Sequence, residues 1–269
     1  MIIDFHTHNF PDSLAPKAMA ALLSTDLSKT GIVAHTDGTA GEAKELLRAA
    51  GIDRAVVCNI ATNTRQESKV NDYAISLKGS DFFCPLGSIH PYSEYKDLEL
   101  CRLAEAGIKG IKLHPDYAGV LLSDSGYDEI FSLLSAFGFF VVVHAGYDPI
   151  SPEKVHATPE MFRRIAEKYP SLRLVAAHMG GFNRAEEVYS TLVGTNVYID
   201  TSLSSLRRGE RETLYKILGE HREDRILFGT DTPWANPKAE LDFVLNAPID
   251  EQRRIKILSE NAKELLDLE

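Results

Sequence analysis

Five residues of this chain pair metal-ligand chemistry with a revealing position. His6 and His8 stand two apart in MIIDFHTHNF, directly after an apolar run. His144 closes VVVH, His178 closes VAAH, and Asp231 stands in LFGTDTPW. Each follows residues that belong in a protein interior, where a histidine or aspartate must find a partner. One H-x-H pair is weak evidence, and a lone buried histidine is usually satisfied by a backbone carbonyl. Four histidines and an aspartate after separate apolar runs point to a shared partner instead. Imidazole nitrogens with one carboxylate suit a divalent ion: zinc first, with manganese or iron also compatible. A metal with an open position lowers the pKa of a bound water toward ~7 and polarises a carbonyl. Asp231, bordering that water, would act as general base and then protonate a leaving group.

GIKLHP adds Lys112 and His114, which share one face of an extended chain. A lysine among apolar residues is costly unless it is paired or modified. Three states follow: an ion pair with an inward carboxylate such as Asp4, an ammonium holding a substrate carboxylate, or a carbamylated lysine bridging two metals. Asp4, His6 and His8 are expected on one face of the first strand by the same period.

These residues need a scaffold that brings strand ends together. Eight apolar, β-branched runs recur: MIIDF, DRAVVCNI, FFCPLGSI, GIKGIKL, FFVVVHAG, LRLVAAH, NVYID and RILFGTD. Near-continuous hydrophobicity marks strands buried on both faces, as in parallel sheets. Helical segments separate them. TAGE (Thr39 to Glu42) and TRQE (Thr64 to Glu67) have capping-box form, and Pro159 sits at a first helical position. Gly51, Gly107 and Gly138 fall where a helix end needs a left-handed residue. The alternation predicts an α/β fold, one (β/α)8 TIM barrel over residues 1–269 with the metal site at its C-terminal face. An open doubly wound sheet is the alternative, but H-x-H stands where its glycine fingerprint belongs. Connections at about 9–38, 115–126 and 145–157 exceed plain turns, and such loops are often functional.

The bulk properties narrow the partners. A net charge of −10 without a basic run argues against nucleic acid and anionic membrane. The longest apolar run, FGFFVVVHAG, is too short to span a bilayer. Three cysteines without metal-type spacing fit a reducing compartment. With no signal-type N-terminus, a cytoplasmic protein acting on a small molecule is expected, with a homodimer possible by analogy.

HTH, HAG, HMGG and GTDTPW, in that order, resemble the metal-dependent amidohydrolase superfamily. Within it they are similar to the amidohydrolase-related branch that includes aminocarboxymuconate-semialdehyde decarboxylase. ENAKELLDL is similar to that branch's last helix, so the likeness runs from residue 2 to about 267. The resemblance implies that His6, His8 and Asp231 hold a first metal. In mononuclear members the counterpart of His144 completes the shell and that of His178 orients the attacking water. In binuclear members both bind a second metal, bridged by a carbamylated lysine at the position of Lys112. GIKLHP is similar to the lysine-bearing phrase of dihydroorotase and departs from the decarboxylase pattern.

The expected activity is therefore metal-dependent hydrolysis of an amide, lactone or ester-like bond, with Asp231 and His178 catalytic. The alternative is a non-oxidative decarboxylase or hydratase acting on an unsaturated carboxylic acid. A binding barrel with a structural metal is a distant third. His114, Tyr117, Tyr147, Arg207 and Trp234 are candidates for substrate contact, and Arg207 or Arg208 for clamping a carboxylate. Arg184 belongs to the same group of loop residues. His35, His90, His156 and His221 read as structural or solvated.

Overall fold

A computed structural model describes residues 1–27 and 30–268. Ser28 and Lys29, inside the predicted 9–38 connection, and Glu269 lie outside the described residues. The eight runs form eight parallel strands: β1 (Ile3–Thr7), β2 (Arg54–Cys58), β3 (Phe83–Ser88), β4 (Gly110–Leu113), β5 (Phe140–Val143), β6 (Leu174–Ala176), β7 (Tyr198–Asp200) and β8 (Ile226–Leu227). Each pairs with its sequence neighbours, in the order β1 to β8. Backbone bonds then join the last strand to the first: Phe5 N–H to Phe228 O at 2.7 Å and Asp231 N–H to His6 O at 2.7 Å. The result is a (β/α)8 TIM barrel.

Period two explains why the strands read as continuous apolar runs. Val141 and Val143 pack outward with helix residues such as Leu134 and Ile130. Phe140 and Val142 pack inward with Val56, Val175 and Leu227. Both faces are dry, so no polar alternation shows. The inward parity of β4 carries Gly110, Lys112 and then His114.

β1 departs from the single-face expectation. Its register against β2 shifts between Asp4 and Thr7. Ile3 and Phe5 belong to the inward cluster, yet His6 and His8 also reach the barrel mouth. An extra residue in one strand re-aims the side chains beyond it. Asp4 is thereby kept from Lys112: its carboxylate accepts from Thr230 Oγ1 at 2.6 Å, Thr230 N at 3.0 Å and His6 N at 3.1 Å.

Helix ends follow local chemistry. Thr39 caps α2 (Ala40–Ala49) by accepting from Glu42 N–H, and Thr158 caps Pro159–Lys168 by accepting from Met161 N–H. Gly51, Gly107 and Gly138 have φ of 87°, 75° and 75°. TRQE does not act as a capping box: α3 (Glu67–Ser76) starts later, with Gln66 at its N-cap and no side-chain cap bond. The 9–38 segment is not a plain loop, because it contains helix α1 (Ala15–Leu23).

His221 supports the barrel away from its mouth. Its Nε2–H donates to Val197 O at 2.9 Å, and its Nδ1 accepts from Gly194 N–H at 3.3 Å. Burial pushes its pKa down to about 4. A folded pKa below the unfolded value near 6.5 means that the unfolded chain binds the extra proton, so stability is lost as pH falls through that window. The group's contribution should fall by about 2–3 kcal/mol between pH 7 and pH 4.5. Urea unfolding at both pH values checks this: His221→Gln should flatten the slope, and an unchanged slope would refute it.

Candidate metal centre

His6 and His8 come from β1 and the residue beyond it. His144 follows β5, His178 follows β6, and Asp231 lies beyond β8. His178 and Asp231 need special backbone. Alternation from Val175 and Ala177 would turn His178 away from the interior. Instead His178 and Met179 take left-handed φ of 56° and 59°, and Asp231 takes 66°. Such non-glycine conformations carry strain and concentrate at functional sites.

Three of the histidines, His6, His8 and His178, have one ring nitrogen fixed from outside. His6 Nδ1 bonds Asp200 Oδ2 at 2.8 Å. His8 Nδ1 bonds Cys58 O at 2.9 Å. His178 Nδ1 bonds Ser202 Oγ at 2.7 Å, and that hydroxyl donates to Asp200 Oδ1. These outer partners accept, so the outer nitrogens carry the protons and the inner ones present lone pairs. Burial also holds His6 and His178 well below the usual imidazole range, which keeps them neutral.

The inner atoms then crowd together. His8 Nε2 lies 3.0 Å and His6 Nε2 3.3 Å from one oxygen of Asp231. Three acceptor atoms converging from two imidazoles and a carboxylate form a donor set that fits a divalent ion. His178 Nε2 lies 3.0 Å from His144 Nδ1, a pair that borders the same space. Lys112, 1 % exposed, places Nζ 2.9 Å from His6 Nε2. Among the described residues it forms no ion pair with a carboxylate, so the predicted Asp4 partner is replaced by an imidazole.

Behind His144 lies a second polar layer. His114 stacks on His144 at 4.2 Å between ring centres and on Tyr117 at 4.0 Å. Asp148 Oδ2 sits 3.5 Å from His114 Nε2 and 3.6 Å from His144 Nε2. Asp116 accepts from His156 Nδ1 at 2.9 Å and bonds Ser151 Oγ. His156 is thus structural, as read, but it belongs to this layer. Burial raises the Asp148 carboxyl and lowers His114.

A cavity of about 740 Å³ opens above these groups. His114, Tyr117, Tyr147 and Trp234 line it, as their sequence positions suggested. Arg207 does not. Its guanidinium is buried and spent on His178 O at 2.9 Å, Gly181 O at 3.0 Å and Glu210 Oε2 at 2.7 Å. It holds the left-handed turn that carries His178 and is not free to clamp a carboxylate. Arg184 pairs with Glu187, and Arg208 is exposed outside the cavity.

Comparison with known proteins decides the family: an amidohydrolase family model matches residues 3–268. The chain belongs to the amidohydrolase family. It is a metal enzyme of that superfamily. A curated dihydroorotase from Helicobacter hepaticus is 29% identical over 144 residues, covering 50% of this chain and 41% of that protein. The chain therefore matches only about two fifths of that relative's length. An uncharacterised TIM-barrel protein from Bordetella bronchiseptica superposes with a TM-score of 0.78 at 20% identity, covering 99% and 98% of the two chains. A dihydroxybenzoic acid decarboxylase from Polaromonas, solved with manganese and 2-nitroresorcinol, gives 0.72 at 18%, covering 99% and 96%.

Sequence reasoning missed four members of this amidohydrolase site: Asp200, Ser202, Asp116 and Asp148. Asp200 had a signal, since NVYID ends a buried run with a charge just as LFGTD does. Ser202 and Asp148 sit in a turn and a loop, and Asp116 in the single helical turn Pro115–Ala118, segments too short for a period to mark a side chain's direction. Asp200 binds the His6 ring, the His178 N–H at 3.0 Å and Ser202, so it orients two imidazoles at once. Asp200→Asn should weaken metal binding about 10–100-fold. Competition with a chromophoric chelator measures this, and affinity within twofold of wild type would refute it.

Proposed function

We propose that this amidohydrolase is a metal-dependent non-oxidative decarboxylase of a carboxylic acid with a flat, unsaturated body. The observation that carries this reading is the cavity. Its deep end holds imidazoles, Asp231 and the Lys112 cation, while Tyr117, Tyr147, Phe182 and Trp234 supply aromatic wall. Such a space takes a planar apolar ring with an anionic head directed at the metal centre. The whole-length likeness to the manganese-bound dihydroxybenzoic acid decarboxylase supports the reading.

His6, His8 and Asp231, with His144 alongside, are the residues that would hold the ion. When bound, manganese or zinc supplies Lewis acidity toward the substrate's carboxylate and a neighbouring oxygen. Lys112 adds a second positive charge beside His6. As the bond to the carboxylate breaks, its electron pair stays on the ring carbon and carbon dioxide leaves. Asp231 relays the proton that this carbon needs, taking it up on its free Oδ2 from solvent in the cavity and passing it to the carbon, because it lines the cavity and only Oδ1 is engaged by the imidazoles. His178, fixed by Ser202, Asp200 and Arg207, keeps the proton path ordered.

The test is a metal-replete assay with manganese and then zinc. Hydroxylated benzoates and unsaturated aliphatic acids should release carbon dioxide with no hydrolytic product. Cleavage of amides, lactones or esters without carbon dioxide release would overturn the proposal.

A second reading, metal-dependent hydrolysis, is favoured by Lys112 itself. A buried lysine without a carboxylate partner suits carbamylation, and His144 Nδ1 and His178 Nε2 are spaced as two ligands of one further ion would be. Two metals per chain and a carbamate carbon signal after ¹³C-bicarbonate exchange would favour this reading.

A further inference from the structure

The metal centre and its aromatic walls use only part of the cavity. Small-molecule sites of roughly 300–1,000 Å³ take drug-sized ligands, and this cavity of about 740 Å³ has room beyond a single-ring acid. The remainder extends under α1. Leu14, Ala18, Ala21 and Leu22 all line it, at helical spacings of four, seven and eight residues that form one stripe. The adjoining stripe anchors the helix: Ala15 and Met19 are buried, and Met19 packs beside Gly38. The cavity-facing stripe is less covered: Ala18 and Leu22 are half-buried, Ala21 is exposed, and Lys17 flanks them at the cavity. Leu14 is 46 % exposed, and Ile150, across the same cavity, is 47 % exposed. Val70 and Tyr73 of α3 face the space too.

An apolar helix stripe left wet is unfavourable in proportion to its area. It faces a space continuous with the metal centre, so its occupant enters with the substrate. We infer that the substrate carries an apolar arm of several carbons, seated along the Leu14, Ala18, Ala21 and Leu22 stripe of α1. This rests on the proposed function for the acidic head, but not for the arm. α1 is then the element that sets chain-length specificity. Ala18 and Ala21 leave room where larger residues would close the groove.

Trp234, the chain's single tryptophan, lines the same cavity and reports binding by its fluorescence. The metal-loaded protein is titrated with two series: para-alkyl benzoates from methyl to hexyl, and straight-chain carboxylates of growing length. Each methylene buried on α1 should tighten Kd about two- to fourfold until a plateau. Ala21→Glu should flatten the dependence, with an unchanged circular dichroism spectrum. Ala18→Phe should move the plateau to shorter chains. A length dependence in either series supports the arm. Its absence from both overturns the arm, including the case in which α1 closes on α3 by itself. A dependence confined to the straight-chain series keeps the arm and counts against the aromatic head.

Discussion

Replacing Asp231 by asparagine will lower turnover of the metal-replete protein by about 10³-fold or more. Two functions go together. The carboxylate oxygen faced by His6 and His8 loses its charge, and under the proposed decarboxylation the proton meant for the substrate carbon loses its carrier. The fold should survive. Asparagine is among the residues that accept a left-handed backbone, and Asp231 has φ of 66°. Metal affinity should also fall by about 10-fold or more, since a charged ligand becomes a neutral one. The measurements are kcat, metal content by elemental analysis and a thermal melt. A variant that keeps metal and a tenth of the activity would exclude Asp231 as the proton carrier.

Lys112 gives the second large effect and separates the two mechanisms. Lys112→Ala should reduce turnover by about 10²–10³-fold, the scale for removing one preorganised charge-stabilising donor. The deleted side chain leaves a pocket against His6. If Lys112 acts as an ammonium, a small primary alkylamine should restore part of the activity and a short carboxylate should not. If it is carbamylated, the order reverses. Lys112→Met keeps the buried volume, so its stability separates packing loss from chemical loss. Full activity in either variant would show that the cation is dispensable.

Much of the site was legible because burial and polarity conflict visibly. His144, His178 and Asp231 interrupt or end runs that only a dry strand explains, and the barrel then forces strand ends together. Lys112 was visible for the same reason, although its partner was not. The pairing with Asp4 assumed strict alternation along β1, and the register shift between Asp4 and Thr7 broke it. Bulges depend on how two strands pair, which one strand's composition does not record. Arg207 failed differently. Its position after β7 suggested a clamp, whereas the fold spends its donors on the carbonyls of the His178 turn.

The sequence pattern put hydrolysis first, because a metal with an open position activates a bound water, and GIKLHP kept a two-metal site open. The amidohydrolase family accommodates both activities, and the solved structures described above include a decarboxylase of an aromatic acid with bound manganese, which shares the fold with this chain; decarboxylation stands as the proposal argued from the cavity. No helix among the described residues is long and apolar enough to cross a membrane.

By itself the sequence determined the strands, their parallel order and which polar residues gather at the barrel mouth. Those follow from local hydrophobic period and from the cost of burying a polar group unpaired. Only the tertiary structure decided which nitrogen of each imidazole faces inward, that Asp200 orients two of them, and that an apolar stripe of α1 overlooks the metal centre. Those outcomes depend on contacts between residues far apart in the chain. His6 and Asp200, separated by 194 positions, lie 2.8 Å apart only once the barrel has closed.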